Sequence, residues 1–453
     1  MSLGTYMAAL DSSIINISMP TLTTFFNSEI STTNWIVTSY LLTLSGSLLV
    51  FGRLSDVIGR KSLFTLGMIV FTISSAACGM SPTLTLLIIS RILQAIGGAM
   101  IMSISPAIIT EVFSPKERGK ALGSIGTVVA LGIMTGSPLG GAIVSSLSWR
   151  YIFFINIPVG IIGTIASLLV LQKKGAHEKI RKTFDFLGAG ALVIFMVTFL
   201  LAVTIGVKKT FFETSVYLLL ITSVLFFIIF IVTELKVKHP TIELQLFNNS
   251  GFSSANMSAL LTYMSIFMLI FIMPFFLERI QGLRPDIIGA ILITPTFMLL
   301  VLSPFFGWVS DKIGYRLLRC TGLSIITVAF LSLSHINADT TILNIVLKLL
   351  LYGFGVGMFI SPNNSLLMGS VPKNKLGVAA GMLATTRNIG MLMGVSTASA
   401  IFTYRLKYYG SQSQELHSPL ELSHMPYSDV FFCAAIFAGL GVIIAYLQGK
   451  RVA

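Results

Sequence analysis

The chain has 453 residues, of which 54% are hydrophobic and only 10% are charged. A soluble protein carries about 25% charged residues, so this chain has too few to cover a water-facing surface. Its net charge of +13 would suggest nucleic-acid binding on a soluble chain, but its apolar runs repeatedly reach the roughly 20 residues that cross a bilayer. We therefore predict an all-α polytopic membrane protein with the lipid bilayer, and no nucleic acid, as its partner.

Apolar runs between turn and charge clusters predict fourteen transmembrane spans. They cover residues 3–26, 34–51, 62–80, 83–110, 118–146, 151–171, 187–206, 214–233, 253–277, 287–306, 317–334, 341–369, 378–403 and 429–448. An even number of spans places both termini on one side. The loops that follow even-numbered spans, together with the C-terminal tail, hold 20 of the 30 Lys and Arg residues, three of them in 307–319, whereas the opposite loops hold 7. The positive-inside rule therefore predicts cytoplasmic termini.

An internal repeat relates the two parts of the chain. The segment GRLSDVIGRKSLFTLG at 52–67 recurs as GWVSDKIGYRLLRCTG at 307–322, which is 255 positions later. This offset pairs span 2 with span 10, so the repeat unit is six helices in the same orientation. Two parallel six-helix halves are the arrangement of major facilitator transporters, which work by alternating access. The predicted domains are an N-terminal half at 1–171, two inserted helices with flanking loops at 172–252, and a C-terminal half at 253–453.

Four segments resemble the motifs of the fourteen-helix drug:proton antiporters, the DHA2 branch of the major facilitator superfamily. LDSSIINISMP at 10–20 is similar to the first-helix motif, and GRLSDVIGRK at 52–61 is similar to the superfamily's loop 2–3 motif. RILQAIGGA at 91–99 resembles the fourth-helix motif, and WRYIFFINIPVG at 149–160 resembles the signature that opens the sixth helix. The resemblance implies a transporter of small amphipathic drugs that is driven by a proton gradient and needs no cofactor.

Asp11 is the carboxylate that lies well inside a predicted span, whereas the other acidic residues lie in loops or at helix ends. A charge at mid-bilayer costs about 2.5–3.5 kcal/mol. A carboxylate at this position is therefore expected to have a specific role that offsets this cost. Burial favours the protonated acid and a bound cation favours the carboxylate, so one group could bind a proton and release it when a cationic drug arrives. The resemblance also implies a proton-linked position. A purely structural hydrogen bond between helices is the alternative.

Three basic residues fall inside predicted spans, namely Arg91, Lys348 and Arg387. The resemblance implies that Arg91 assists proton transfer by shifting the protonation equilibrium of a nearby carboxylate. The alternative is a structural role, in which Arg91 hydrogen-bonds to the backbone of the first helix. Lys348 could snorkel to the membrane surface. Arg387 lies deeper, where a cavity role and a structural contact both stay open. The predicted substrate contacts are Asn16, Trp35, Tyr40, Gln94 and Arg387.

The loop 2–3 motif predicts a cytoplasmic gate. Gly52 and Gly59 permit close backbone approach, and the resemblance implies that Asp56 clamps the two halves together near Arg118. A topology signal alone would explain Arg60 but neither the acid nor the glycines. Asp311 is the predicted counterpart of Asp56 in the second half.

Span 5 contains GIMTGSPLGG at 132–141, where the drug:proton antiporters carry a Gly-Pro motif that bends the helix and restricts proton leak. In this chain Ser137 occupies the usual proline position and Pro138 follows one residue late. We still predict a kink at Pro138, flanked by Gly136, Gly140 and Gly141.

The predicted function is proton-driven export of amphipathic monovalent cationic or zwitterionic drugs, dyes or biocides by a monomer in the plasma membrane. With one buried carboxylate, a single proton should be exchanged for each drug. The alternative is a transporter of one specific metabolite on the same scaffold. An enzyme is not indicated, because the chain has no carboxylate cluster, no His pair at ligand spacing and no Walker-type loop. The three cysteines lie far apart, which indicates neither a disulfide framework nor a metal site.

Overall fold

The computed structural model describes residues 1–112, 118–171, 186–208, 213–236, 244–372, 376–412 and 424–448. These residues form fourteen helices of 15 residues or more, and they include no strand. The helices are α1 (Ser2–Phe25), α2 (Trp35–Ile58), α3 (Arg60–Met80), α4 (Leu84–Val112), α5 (Arg118–Ser146), α6 (Asn156–Val170), α7 (Phe186–Lys208), α8 (Thr214–Lys236), α9 (Ser250–Arg279), α10 (Pro285–Ile313), α11 (Tyr315–Leu333), α12 (Ile342–Gly369), α13 (Leu376–Gln412) and α14 (Met425–Leu447). The short helices Ile30–Thr33 and Tyr151–Phe154 precede α2 and α6, and the 3-10 helix Leu244–Asn248 precedes α9.

Each predicted span coincides with one of these helices. Ten helices in the described residues are long and apolar enough to cross a membrane. Large apolar side chains stand on their outer faces, for example Leu169, which is 80% exposed in α6, and Ile221, which is 63% exposed in α8. Apolar surface of this extent suits lipid rather than water. The fold is that of a multi-pass membrane protein.

The loops predicted at 52–62 and 307–319 are almost entirely helical. α2 runs to Ile58 and α3 begins at Arg60, so Gly59 alone separates the two helices. Gly314 alone separates α10 from α11 in the same way. The two glycines have φ values of +102° and +84°, which residues with a Cβ rarely adopt. A one-residue break with positive φ therefore replaces each predicted loop.

The glycines of the loop 2–3 motif have open surroundings among the described residues, and the close backbone approach predicted for them stays a prediction. Among the described residues, a Cβ added at Gly59 would meet no atom within 4 Å, and one at Gly52 would meet only Ser103 Cβ, at 3.9 Å. The positive φ of Gly59 favours glycine there, and no contact among the described residues requires a glycine at position 52.

The packing of the helices repeats along the chain. In the first half, α1 packs on α5 and α3 packs on both α4 and α6; in the second half, α9 packs on α13 and α11 packs on both α12 and α14. Where α3 crosses α4, a Cβ added at Gly97 would stand 2.8 Å from the carbonyl oxygen of Gly67. Where α11 crosses α12, a Cβ added at Gly355 would stand 2.9 Å from the carbonyl oxygen of Gly322. Each contact thus recurs eight helices later.

Two compact units make up the chain. One comprises Met1–Phe199, Leu218–Thr241 and Arg284–Gly289, and the other comprises Leu200–Tyr217, Ile242–Leu283 and Ala290–Ala453. The first unit holds α1 to α6, and the second holds α9 and α11 to α14. The separate insert predicted at 172–252 stays a prediction.

Candidate functional site

Asp11 lies near the middle of α1 and is completely buried. Arg91 of α4, which is also completely buried, donates a hydrogen bond from Nη1 to Asp11 Oδ2 at 2.5 Å. Charged side chains are almost never fully buried unless they are paired, and this pair is electrically neutral. The structure thus brings together the two residues that the sequence assigns to proton coupling.

Two carboxamides supply the remaining hydrogen bonds to the acid. Gln94 Nε2 and Asn156 Nδ2 both donate to Asp11 Oδ1, at 3.0 Å and 2.9 Å. Gln94 also donates to Ser75 Oγ at 2.8 Å and accepts from Arg91 Nη1 at 2.6 Å. We refer to Asp11, Ser75, Arg91, Gln94 and Asn156 as the Asp11 cluster. Since both ends of its amide are used within the cluster, Gln94 positions the ion pair, and its predicted contact with substrate stays a prediction.

The Arg91 side chain is held between α4 and α2. Its Nε donates to the carbonyl oxygen of Ile36 at 3.3 Å, and its Cζ lies 4.0 Å from the centre of the Tyr40 ring. A desolvated guanidinium over an aromatic ring gains about 2 kcal/mol, which offsets part of the cost of burying Arg91. The backbone carbonyl that Arg91 contacts belongs to α2 and not to the first helix, and its role in proton transfer stays a prediction.

Three polar atoms around the ion pair have no hydrogen-bond partner among the described residues. They are Tyr40 Oη, Arg91 Nη2 and Asn156 Oδ1. Leaving a buried donor or acceptor unpaired costs about 1–3 kcal/mol, so native proteins retain few such groups. Gly98 leaves room for the Tyr40 hydroxyl, because a Cβ added there would stand 3.1 Å from Tyr40 Oη. The cluster therefore retains hydrogen-bonding capacity beside the acid.

A row of glycines on α5 positions the helix that carries Asp11. A Cβ added at Gly136 would stand 2.7 Å from Ser13 Cβ, and one added at Gly140 would stand 2.9 Å from Ile14 Cγ1. Gly132 faces α1 in the same way, with the carbonyl oxygen of Tyr6 at 2.8 Å. Residues four apart share a helix face, so this stripe lets α5 lie directly against α1. A side chain at any of these positions would displace α1.

Pro138 lies inside α5, and the helix continues beyond it to Ser146. Gly141 is buried at the next turn. The hydroxyl of Ser13 donates to the carbonyl oxygen of Ile133 at 2.9 Å, which ties α1 to this part of α5. The kink at Pro138 stays a prediction.

The other predicted substrate residues lie apart from the cluster's hydrogen bonds. Asn16 is buried and donates from Nδ2 to the carbonyl oxygen of Ser12 at 2.9 Å, within α1. Trp35, at the start of α2, is half-buried. Within the described part of the first unit, neither residue is hydrogen-bonded to the cluster. Arg387 is half-buried in α13 of the second unit.

Three of the six residues of the predicted cytoplasmic gate have side chains outside the described part of the structure. Asp56, Arg118 and Asp311 have helical backbones, but their side chains lie outside the described part of the structure. Arg60 is half-buried at the start of α3. The clamp between Asp56 and Arg118 stays a prediction.

A second buried arginine was missed by the sequence analysis. Arg319 lies where the predicted loop 307–319 overlaps the predicted span 317–334, and its charge is counted with the loop; in the structure it lies inside α11 with none of its surface exposed. It donates to four neutral side chains, namely Asn363 at 2.9 Å, Gln448 at 2.5 Å, Ser254 at 3.1 Å and Ser258 at 3.2 Å. These contacts tie α9, α11 and α12 to the residue that follows α14, so the side chain holds four helix ends of the second unit together.

The buried acid, the repeated helix packing and the motifs lead to one superfamily. A family model described as Major Facilitator Superfamily matches residues 1–395. The chain belongs to the major facilitator superfamily. The riboflavin transporter RibZ of Clostridioides difficile is 33% identical over 442 residues, which are 98% of this chain and 94% of RibZ. The multidrug transporter protein MdtP of Bacillus subtilis is 31% identical over 401 residues, which are 88% of this chain and 74% of MdtP.

Solved structures of other major facilitators share the fold. A D-xylose-proton symporter superimposes with a TM-score of 0.67 at 16% identity, covering 100% of this chain and 96% of that one. The human organic anion transporter MFSD10 gives a TM-score of 0.64 at 14% identity, covering 98% of each chain. The fold class and the family resemblance predicted from the sequence are confirmed. This major facilitator protein is a transporter and not an enzyme.

Proposed function

We propose that this protein is a proton-coupled antiporter that exports amphipathic monovalent cationic or zwitterionic drugs, dyes or biocides. The observation that carries the proposal is the fully buried ion pair of Asp11 and Arg91. When a proton binds to Asp11, the carboxylate charge disappears and the guanidinium is left buried without a counter-charge. Removing one partner of a buried pair costs about 3–5 kcal/mol. A conformation that relieves this cost is therefore favoured at least about 100-fold by protonation.

The same pair sets the charge of the substrate. A cationic group that reaches Asp11 takes the place of Arg91 as its counter-charge, so proton, guanidinium and drug compete for one carboxylate. A monovalent cation restores neutrality after the proton leaves, whereas a divalent cation would leave an excess charge in a low-dielectric site. Zwitterions satisfy the same balance through their cationic group. Asp11 thus alternates between proton and substrate.

A second candidate is a transporter of one neutral heteroaromatic metabolite. The relative RibZ, named a riboflavin transporter, aligns over 98% of this chain, whereas MdtP aligns over 88% of it. The unpaired hydroxyl of Tyr40 and the unpaired carbonyl of Asn156 offer a donor and acceptor to a neutral ring that carries amide groups. In this case the proton on Asp11 would drive transport without direct competition from substrate.

We also propose the location, orientation, driving force and gate of the transporter. We place the protein in the plasma membrane as a monomer with both termini in the cytoplasm, because Lys and Arg are concentrated in the loops on that side. A proton gradient is the driving force, and no cofactor takes part. Asp56 and Arg118 form the cytoplasmic gate, with Asp311 as the counterpart of Asp56 in the second half.

The proposal is tested by transport in inside-out vesicles with an imposed pH gradient, with ethidium and riboflavin as substrates. Asp11→Asn should abolish gradient-driven uptake. The matched control is Asp429→Asn, which removes the acid of a half-buried pair with Arg405, at 2.7 Å, outside the cluster. This control should transport like the native protein. Gradient-driven uptake by Asp11→Asn would refute the coupling role, and uptake of riboflavin without ethidium would favour the metabolite transporter.

A further inference from the structure

A groove of about 230 Å³ opens between α3 and α6 on the outer surface of the first unit. It is lined by Lys61, Ser62, Thr65, Leu66, Ile69 and Leu168. Leu66, Ile69 and Leu168 are 46%, 38% and 54% exposed, so its aliphatic wall faces the surroundings of the protein. The charged end of the groove is the first turn of α3. A ligand that fits this groove is amphipathic, with an anionic head and an aliphatic tail.

We propose that this groove is a binding site for an anionic glycerophospholipid, whose phosphate contacts Lys61 and whose acyl chain lies along Leu66 and Ile69. Charge complementarity supports this occupant. Lys61 Nζ donates to the carbonyl oxygen of Leu168 at 2.8 Å, and an ammonium has three donors. One donor therefore holds the end of α6, and two remain for phosphate oxygens. Among the described residues, no carboxylate forms an ion pair with Lys61.

The position of the groove along the helices supports a lipid rather than a soluble anion. α3 begins at Arg60 and α6 ends at Val170, so both helices end beside Lys61. The ends of transmembrane helices lie at the depth of the lipid headgroups. This surface is the predicted cytoplasmic one, where anionic lipids attract basic residues. From Lys61 the aliphatic wall runs towards the middle of the membrane, as an acyl chain does.

The internal repeat provides a matched position in the second half. Arg316, which corresponds to Lys61, donates from Nη2 to the carbonyl oxygen of Tyr446 at the end of α14, at 3.1 Å. Its Cζ lies 5.3 Å from the centre of the Tyr446 ring, so an aromatic ring stands beside the cation there. In the first half Leu168 supplies the carbonyl, and no aromatic ring is among the described residues that line the groove. The proposal therefore concerns the α3–α6 groove alone.

Native mass spectrometry of the purified protein, titrated with phosphatidylglycerol and with phosphatidylcholine, tests the proposal. Lys61→Gln should weaken phosphatidylglycerol binding about fivefold and weaken phosphatidylcholine binding less, because the choline ammonium already neutralises the phosphate of that lipid. Leu66→Trp, which fills the groove and keeps the charge, should weaken phosphatidylglycerol binding to a similar extent. Lys61→Arg should bind like the native protein, as should Arg316→Gln, which removes one basic residue from the matched position.

Two results would overturn the lipid site. One is an equal loss of phosphatidylglycerol from Lys61→Gln and Arg316→Gln, because net charge alone would then explain the binding. The other is native affinity in Leu66→Trp, because the groove would then not hold the chain. Inorganic phosphate should not displace the lipid, and displacement by it would also overturn the proposal. Thermal unfolding of each variant shows whether a loss of binding reflects a loss of fold.

Discussion

The buried ion pair makes a prediction about stability that is separate from transport. The substitution Asp11→Asn keeps the shape of the side chain and removes its charge. Asn156 and Gln94, which donate to Oδ1 at 2.9 Å and 3.0 Å, still face a carbonyl oxygen. Arg91 Nη1, which donates to Oδ2 at 2.5 Å, instead faces an amide NH₂. The guanidinium is then buried without a counter-charge, so we expect a loss of about 3–5 kcal/mol in the free energy of unfolding.

The double variant Asp11→Asn with Arg91→Gln should recover much of this loss. Arg91→Gln alone leaves the carboxylate buried without a counter-charge and should cost a similar amount. When both charges are removed, two amides replace the ion pair, and removing both partners of a buried pair is often close to neutral. The two single changes should therefore be strongly non-additive, as expected for groups in direct contact.

Reversible unfolding of the four proteins in mixed detergent micelles, with SDS as denaturant, measures this cycle. Native protein, both single variants and the double variant are compared under one set of conditions. If the double variant loses the sum of the two single losses, Asp11 and Arg91 do not interact energetically. The ion pair would then not store the energy that the proposed coupling uses.

Four further changes test other parts of the structure, each by thermal unfolding in detergent, with transport measured for the first. Asn156→Ala removes a donor to the site carboxylate and should cost about 1–3 kcal/mol and shift the pH profile of transport; an unchanged profile would contradict its positioning role. Tyr40→Phe should not lower stability, because it removes a buried hydroxyl that has no partner among the described residues and the ring remains. Gly97→Ala should cost about 1–3 kcal/mol, because the new Cβ would stand 2.5 Å from a backbone nitrogen of α3, whereas Gly190→Ala, with no atom of the described residues within 4 Å, should be tolerated. Arg319→Met should cost about 1–3 kcal/mol for each buried acceptor it leaves unpaired, and native stability would contradict its role in holding four helices.

The fold and the centre of the site could be predicted because both depend on simple properties of the sequence. Apolar runs define membrane helices, and the repeated motif predicts two halves of similar packing. Asp11 and Arg91 stand out because a charge inside an apolar run is costly. Their contact then follows from the packing of α1 beside α4 in the first unit.

Other parts of the structure could not be predicted because the sequence signal is ambiguous. Arg319 follows Lys312 and Arg316, so the charge cluster resembled a loop, whereas α11 already begins at Tyr315. Its neutral partners come from distant parts of the chain, which the local sequence does not reveal. Asn156 belongs to the quoted segment 149–160, but a single asparagine at a helix start is more often a cap. Only the packing of α6 against α1 shows that it donates to the acid.

The coupling role of Asp11 is tested by the number of protons exchanged for each drug molecule. The purified transporter is reconstituted into proteoliposomes, and proton flux is recorded with an internal pH dye while a gradient of a monovalent cationic drug drives exchange. We expect a single proton for each drug in the native protein and no drug-driven proton flux in Asp11→Asn. A ratio clearly above one, or continued exchange in Asp11→Asn, would contradict the assignment of coupling to this carboxylate.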